Sequence, residues 1–227
     1  MDPTMVWEQI KILVQSGFNF FEESGDCFYV GDFPERLLAC RPKELAHVQL
    51  KVYMRPEQIT PYALDVLKRM NVVEVFLGME SLDNDVLAQA SRGCTEADIL
   101  KAIQLLAANN FGLHLPFIWG LPGTTRRTLE KNLKLARKVK AAFSKQKLEF
   151  LSSLAVPIVG STLFAKLAHN SKVNILYPGN LEEDDIIDYA TLIRLQTELF
   201  THVTEAEIKN AMDEIYQLHP RTGGFGV

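Results

Sequence analysis

Five short, largely apolar runs recur along the chain, at Asn19 to Glu22, Val48 to Met54, Val73 to Met79, Leu113 to Trp119 and Leu148 to Val156, with no hairpin signal between any two of them. Antiparallel neighbours are joined by tight turns, whereas parallel strands need crossovers of a dozen or more residues, usually helical. The spacing therefore predicts right-handed βαβ units, and with them either a doubly wound parallel sheet or an α/β barrel. Periodicity does not choose between the two.

The intervening sequence supplies the helices. Residues 3–16 carry Val6, Ile10, Leu13 and Val14 at helical spacing and stop at Gly17. Thr60 to Met70 reads as a second helix, Asp83 to Asn110 as one or two more, and Thr125 to Phe143 as another. That last helix has Leu129, Leu133, Ala136 and Val139 on one stripe and Lys131, Lys134 and Lys138 outside it. After Gly160 the pattern changes. Glu182 to Val203 is helical, and Thr204-Glu205-Ala206-Glu207 is a capping box opening a last helix with Ile208, Met212 and Ile215 on one face. We expect an α/β domain over 1–164 and a helical extension over 165–227, ending in a flexible glycine-rich tail.

At 227 residues and 47% hydrophobic, the chain can bury one sizeable core. Its 24 basic against 28 acidic residues leave a net charge of -4, so no global field draws it to nucleic acid or an acidic membrane. No apolar run approaches the roughly 20 residues of a membrane span, and no basic, then apolar leader opens the chain. A soluble, cytoplasmic protein is expected. Cys27, Cys40 and Cys94 fit neither a disulfide framework nor the close spacing of zinc or iron–sulfur ligands, and read as ordinary small apolar residues. The five histidines are as scattered, so no metal site is expected from this chain alone.

In either α/β architecture ligands bind at the C-terminal ends of the strands. Four runs end unusually, in Glu23-Ser24-Gly25-Asp26, Tyr53-Met54-Arg55-Pro56, Gly78-Met79-Glu80-Ser81 and Trp119-Gly120-Leu121-Pro122-Gly123. Carboxylates and an arginine around one mouth suit a small zwitterion with hydroxyls. Singly, each piece has a plain reading: Glu80-Ser81 as a helix cap, Gly-Leu-Pro-Gly as a tight turn, Arg92-Gly93 as a helix stop. In order and spacing they are specific. Gly78-Met-Glu80-Ser81, Asp83-x-x-Val86-Leu87, Arg92-Gly93-x-Thr95 and Phe117-Ile118-Trp-Gly120-Leu-Pro122-Gly-Thr, followed by Pro157-x-x-Gly160-x-Thr162-Leu163, resemble the radical SAM superfamily. The likeness is greatest to its methylthiotransferase-like and cobalamin-binding branch, and it runs from about Val6 to Leu163.

The resemblance implies an α/β fold, a partial TIM-type (β/α)6 barrel missing its first strand, with a C-terminal helical extension. It also implies S-adenosylmethionine (SAM) across the strand ends, on the unique iron of a [4Fe–4S] cluster, cleaved by one electron to a 5′-deoxyadenosyl radical in an oxidoreductase or transferase. Ser24-Gly25-Asp26 falls where the family has Gly-Gly-Glu holding the SAM amino group. Arg55, Glu80 and Ser81 stand at strand ends, Glu80 toward the ribose or aminobutyrate part. Arg92 matches an arginine that pairs with the SAM carboxylate, and Ile118, Gly120 and Pro122 lie along adenine.

The sequence departs from the family at several points. It has no CxxxCxxC segment, so the cluster ligands are not in this chain; the second-strand motif is Ser-Gly-Asp; Thr124 stands where relatives have glutamate; and Pro116 takes a strand position that is often acidic. Three readings follow: a part of a radical SAM enzyme whose cluster segment lies outside the chain, a degenerate barrel acting as a binding or scaffold module, or an unrelated α/β barrel using the Glu80 and Asp26 carboxylates for acid–base work. The substrate is not legible. The missing first strand should leave a sheet edge to be covered by the C-terminal segment or by a second copy in a homodimer.

Overall fold

Helix α1 (Pro3–Gln15) begins where Asp2 accepts the Thr4 N–H at 2.9 Å and Pro3, with no N–H to satisfy, occupies the first turn. Its buried residues are Pro3, Trp7 and Ile10, and Leu13 is exposed, so the stripe read from Val6, Leu13 and Val14 is rotated. Trp7 sets the rotation, because its Nε1–H donates to the Leu37 carbonyl at 2.8 Å and pins α1 to α2 (Phe33–Ala39). The structure is a computed structural model and describes residues 2–25, 27–90, 93–177 and 188–218.

The strands are β1 (Phe20–Glu22), β2 (Gln49–Met54), β3 (Val72–Leu77), β4 (Gly112–Trp119) and β5 (Leu148–Leu154), each within a few residues of its expected position. Between them run α2, α3 (Pro61–Arg69), α4 (Asn84–Gln89) with α5 (Glu96–Ala108), and α6 (Arg126–Ala142), so every crossover carries a helix. Among the described residues, four helices follow: α7 (Thr162–Ala168), α8 (Val173–Leu176), α9 (Tyr189–Phe200) and α10 (Glu205–Leu218). Of the helix expected over Glu182 to Val203, the part before 188 lies outside the described residues, as does the glycine-rich tail. Among the described residues no helix is long and apolar enough to cross a membrane.

The strands form one sheet in the order β1-β2-β3-β4-β5, and β1/β2, β2/β3 and β3/β4 pair in parallel. Leu113 N–H donates to the Lys147 carbonyl and Ala155 N–H to the Trp119 carbonyl, so β4 and β5 also climb together. Strand order follows chain order without reversal. A doubly wound sheet reverses at a switch point, so this is the topology of an α/β barrel, present as five of its strands.

The chain divides into two compact units, Met1–Met79 with Glu96–Pro116 and Lys138–Glu149, and Glu80–Thr95 with Phe117–Arg137 and Phe150–Val227. In the first, alternation splits the strands cleanly. Val52, Met54, Val75, Leu77, Leu113 and Leu115 are buried on one face. The other face carries Glu22, Lys51, Tyr53, Glu74, Phe76 and His114, which the register sets side by side: Glu22 beside Lys51, Lys51 beside Glu74, Tyr53 beside Phe76, Phe76 beside His114. A register shift between Leu50 and Lys51 brings Glu74 rather than Val73 opposite Lys51.

In the second unit Phe117 is fully buried, edge-on to Phe150 and stacked on Trp119, whose Nε1–H donates to Ser152 Oγ at 2.7 Å. A smaller core gathers Phe164, Leu167, Val173, Leu192 and Leu195. The capping box forms as expected, with Glu207 N–H on Thr204 Oγ1 at 3.2 Å and Thr204 N–H on Glu207 Oε2 at 2.8 Å. On α6 the buried set includes Asn132 and Leu135, with Leu133 only half-buried. Asn132 turns inward because its Oδ1 caps the buried Leu82 N–H at 2.8 Å.

Candidate functional site

In the first unit, Glu23 N–H bonds the Lys51 carbonyl and carries the β1 ladder one residue further. Glu23 Oε1 then accepts the Gly25 N–H at 2.9 Å. A Cβ at Gly25 would lie 2.5 Å from that oxygen, so any other residue here would displace the Glu23 carboxylate. The second oxygen, Glu23 Oε2, is shielded from water and has no hydrogen-bond partner. A buried carboxylate oxygen without a donor is costly. It therefore marks a place where a ligand N–H or ammonium would be stabilising. Ser24 and Gly25 are exposed beside it, and Asp26 lies outside the described residues.

Arg55 ends β2 with its side chain exposed and its N–H on Gln58 Oε1 at 3.0 Å. The same oxygen takes Cys27 Sγ–H at 2.9 Å, and Gln58 Nε2–H donates to the Tyr29 carbonyl, so one glutamine ties the loops after β1 and β2.

In the second unit, Glu80 has a φ of 59°, one of three non-glycine residues in the left-handed region among those described. That conformation is strained for a residue with a Cβ and persists only where neighbours hold it. Here the Glu80 carbonyl accepts the Ile118 N–H at 2.9 Å, which brings two of the expected site residues together. Ser81 is buried and its Oγ accepts the Asp83 N–H at 3.3 Å; Asp83 Oδ2 in turn accepts Thr128 Oγ1–H at 3.0 Å. Ser81 is thus engaged in starting α4.

The Gly-Leu-Pro-Gly turn needs both glycines, with φ of 78° at Gly120 and 80° at Gly123. Pro122 is buried between them. The turn is bonded to α9 and the residues after it: Gln196 Nε2–H donates to the Gly120 carbonyl at 3.1 Å, Gly123 N–H to Phe200, and His202 N–H to Thr124. Of the backbone assigned to adenine, the Gly120 carbonyl is therefore already engaged. Ile118 remains half-buried, and Arg92 lies outside the described residues.

The polar row of the first unit is a feature that motif reading missed. Lys51 Nζ lies 3.0 Å from Glu22 Oε1, and Tyr53 O–H donates to the same carboxylate at 2.6 Å. Burial and the Glu22 contact push the Tyr53 phenol up to about 12. Burial alone would raise the Glu22 carboxyl, but the Tyr53 and Lys51 bonds outweigh it and hold the group below its ordinary value. Glu74 behaves likewise: burial opposes ionisation, and Lys147 at 2.8 Å with His114 at 2.6 Å overcomes it. His114 itself is lowered by burial, which the Glu74 bond only partly offsets. The signal was present as one charged or ring-nitrogen residue per strand, at period two within apolar runs.

The cysteines do not fit an iron–sulfur cluster. Cys27 is bonded to Gln58, Cys40 lies against the Leu37 carbonyl, and Cys94 is buried in the other unit. Among the described residues no three His, Cys, Asp or Glu side chains are placed to hold a metal ion.

A family model described as the radical SAM superfamily matches residues 1–136. No curated protein matches the chain. Among solved structures, the radical SAM methyltransferase TsrM from Kitasatospora setae with cobalamin and a [4Fe–4S] cluster bound is 14% identical at a TM-score of 0.61, covering 93% of this chain and 44% of that one. The same enzyme with its tryptophan substrate and a SAM analogue is 13% identical at 0.56, covering 71% and 32%. The Methanocaldococcus infernus Elp3 with an N-terminal deletion is 17% identical at 0.52, covering 97% and 60%. The likeness is one of fold, and the chain spans less than two thirds of each of these proteins.

Proposed function

The chain belongs to the radical SAM superfamily, and on that premise we propose that it is the SAM-binding portion of a radical SAM oxidoreductase or transferase. The cluster and its cysteines are supplied from outside these residues. The observation that carries the reading is Glu23 Oε2, a shielded acceptor without a donor, beside Ser24-Gly25 where the family holds the SAM amino group.

When bound, SAM supplies the sulfonium from which the full-length protein would generate a 5′-deoxyadenosyl radical. The residues of this chain bind and orient. Glu23 accepts the ammonium with its free oxygen while its other oxygen keeps the Gly25 turn closed. Asp26 adds charge to the same loop. Glu80, held just after β3 in a strained conformation, turns to the ribose or aminobutyrate part; Ser81 follows it in the chain, and Arg55 follows β2. Arg92 offers a planar fork to the carboxylate. Ile118 and Pro122 supply apolar surface to adenine. The Gly120 carbonyl, engaged by Gln196, favours the second reading, a barrel that binds without radical chemistry.

Among the described residues Cys27, Cys40 and Cys94 form no disulfide, which suits a reducing cytoplasm. Among the described residues β1 pairs only with β2, and we place either a further strand of the same protein or a second copy at its open side.

Glu23→Gln tests the reading. Glutamine keeps an acceptor for Gly25 N–H but lacks the charge that receives an ammonium. Titrating SAM by calorimetry into the cluster-loaded full-length protein should show a loss of about 2–3 kcal/mol, the scale of a charge-assisted hydrogen bond. Unchanged affinity would remove Glu23 from the site and leave the binding-module reading ahead.

A further inference from the structure

Glu74 fixes the tautomer of His114. Its carboxylate, kept ionised by Lys147, only accepts hydrogen bonds, so the His114 nitrogen 2.6 Å away, Nε2, carries the ring proton. Nδ1 is left with its lone pair. It faces Glu149 Oε2 at 2.9 Å, and no hydrogen bond is aligned between them. Two acceptors at that distance repel each other. The other charges facing the ring do not relieve them, because Lys51 is paired with Glu22 and Lys147 with Glu74. Three carboxylates (Glu22, Glu74, Glu149) against two ammonium groups (Lys51, Lys147) leave the row one negative charge in excess with His114 neutral. What the pair lacks is a donor that also brings positive charge.

Access is through Glu149. His114 is 3% exposed, but the Glu149 side chain is 37% exposed and can turn outward. Tyr53 and Phe76, stacked at 4.3 Å, stand in the same row as His114 and give an apolar wall.

We propose that His114 Nδ1 and the Glu149 carboxylate form a second ligand site, for a planar donor fork: an amidinium, a guanidinium or an amino-substituted nitrogen heterocycle. Its two parallel N–H groups go one to each acceptor, the geometry that makes fork-to-carboxylate pairs strong. Its positive charge cancels the excess of the row, and its ring or stem lies along Tyr53 and Phe76. The site needs neither cluster nor SAM, so its failure would leave the proposed function untouched.

Benzamidinium titrated by calorimetry into the full-length protein at pH 7.5, with no SAM and no cluster, tests it. The parent should bind. Glu149→Gln should bind at least about tenfold more weakly, because the new amide donates to Nδ1 and fills the site from within, which is the loss of about one charge-assisted bond. The same variant should melt no lower than the parent. Glu44→Gln, which removes an exposed carboxylate paired with Lys11 outside the row, should bind within about twofold of the parent. Equal affinity in the parent and Glu149→Gln, or no binding to the parent at millimolar benzamidinium, overturns the site. So does a nitrogen NMR spectrum with protons on both His114 ring nitrogens at this pH.

Discussion

Glu74→Ala should destabilise the protein by about 3 kcal/mol, near the lower end for a broken buried charge pair. The carboxylate is 6% exposed and holds the buried His114 N–H and the Lys147 ammonium at once. Lys147 is 59% exposed and can turn to water, so most of the cost falls on the stranded imidazole N–H. Glu74→Gln, which still presents an acceptor to His114, should cost only about 1 kcal/mol. The same row should make stability fall in acid. His114 is held below its ordinary 6.5, so its contribution is complete above that pH and is lost as pH drops toward its folded value. Glu22 and Glu74 are held below 4.5 and add a second loss beneath that pH. Thermal melts from pH 8 to 3 should show both limbs in the parent, and only the lower in His114→Gln. A melting temperature flat between pH 7 and 5 would contradict the burial of a neutral His114.

Phe117→Ala should cost more, about 3–5 kcal/mol by chemical denaturation, because it opens a cavity between Phe150 and Trp119 in the middle of β4. It should also weaken SAM binding, since Phe117 is the bridge partner of Glu80 and precedes Ile118, whose N–H holds the Glu80 carbonyl. Tyr62→Ala, at a side chain 63% exposed, should stay within about 0.5 kcal/mol. Similar losses at the two positions would mean that β4 is not the buried strand described.

The central strands were legible because one face of each is apolar enough to stand out: Val52 and Met54, Val75 and Leu77, Leu113 and Leu115. Their order was not legible, because periodicity reports burial and not neighbours. Helix α2 has no counterpart among the expected elements, because its seven residues give too short a pattern to see, although Asp32-Phe33-Pro34 has the cap residue and early proline of a helix start. The buried stripes of α1 and α6 depart from the apolar pattern at Leu13 and Leu133 for one reason: the hydrogen bonds of Trp7 and Asn132 to distant backbone, at Leu37 and Leu82, decide which way each helix turns. At the site, the Gly120 to Gly123 turn was visible because glycine marks positive φ; the strain at Glu80 leaves no mark in the sequence, and Glu80 was visible because it follows a strand. Glu23 was not, since the family motif drew attention to Asp26. The Glu74, His114 and Glu149 row was missed because each residue looks, within its own strand, like a lone interruption of an apolar run. Only the register shows that the interruptions are adjacent.

The most direct test of the central claim is SAM cleavage by the full-length protein with the cluster assembled on the cysteines outside this chain. After one-electron reduction under anaerobic conditions, 5′-deoxyadenosine measured by chromatography should form with the parent and fall at least about tenfold with Glu23→Gln at limiting SAM, as its weaker binding requires. A protein that carries an intact cluster, binds SAM and yet releases no 5′-deoxyadenosine would contradict the account and leave the barrel as a binding module.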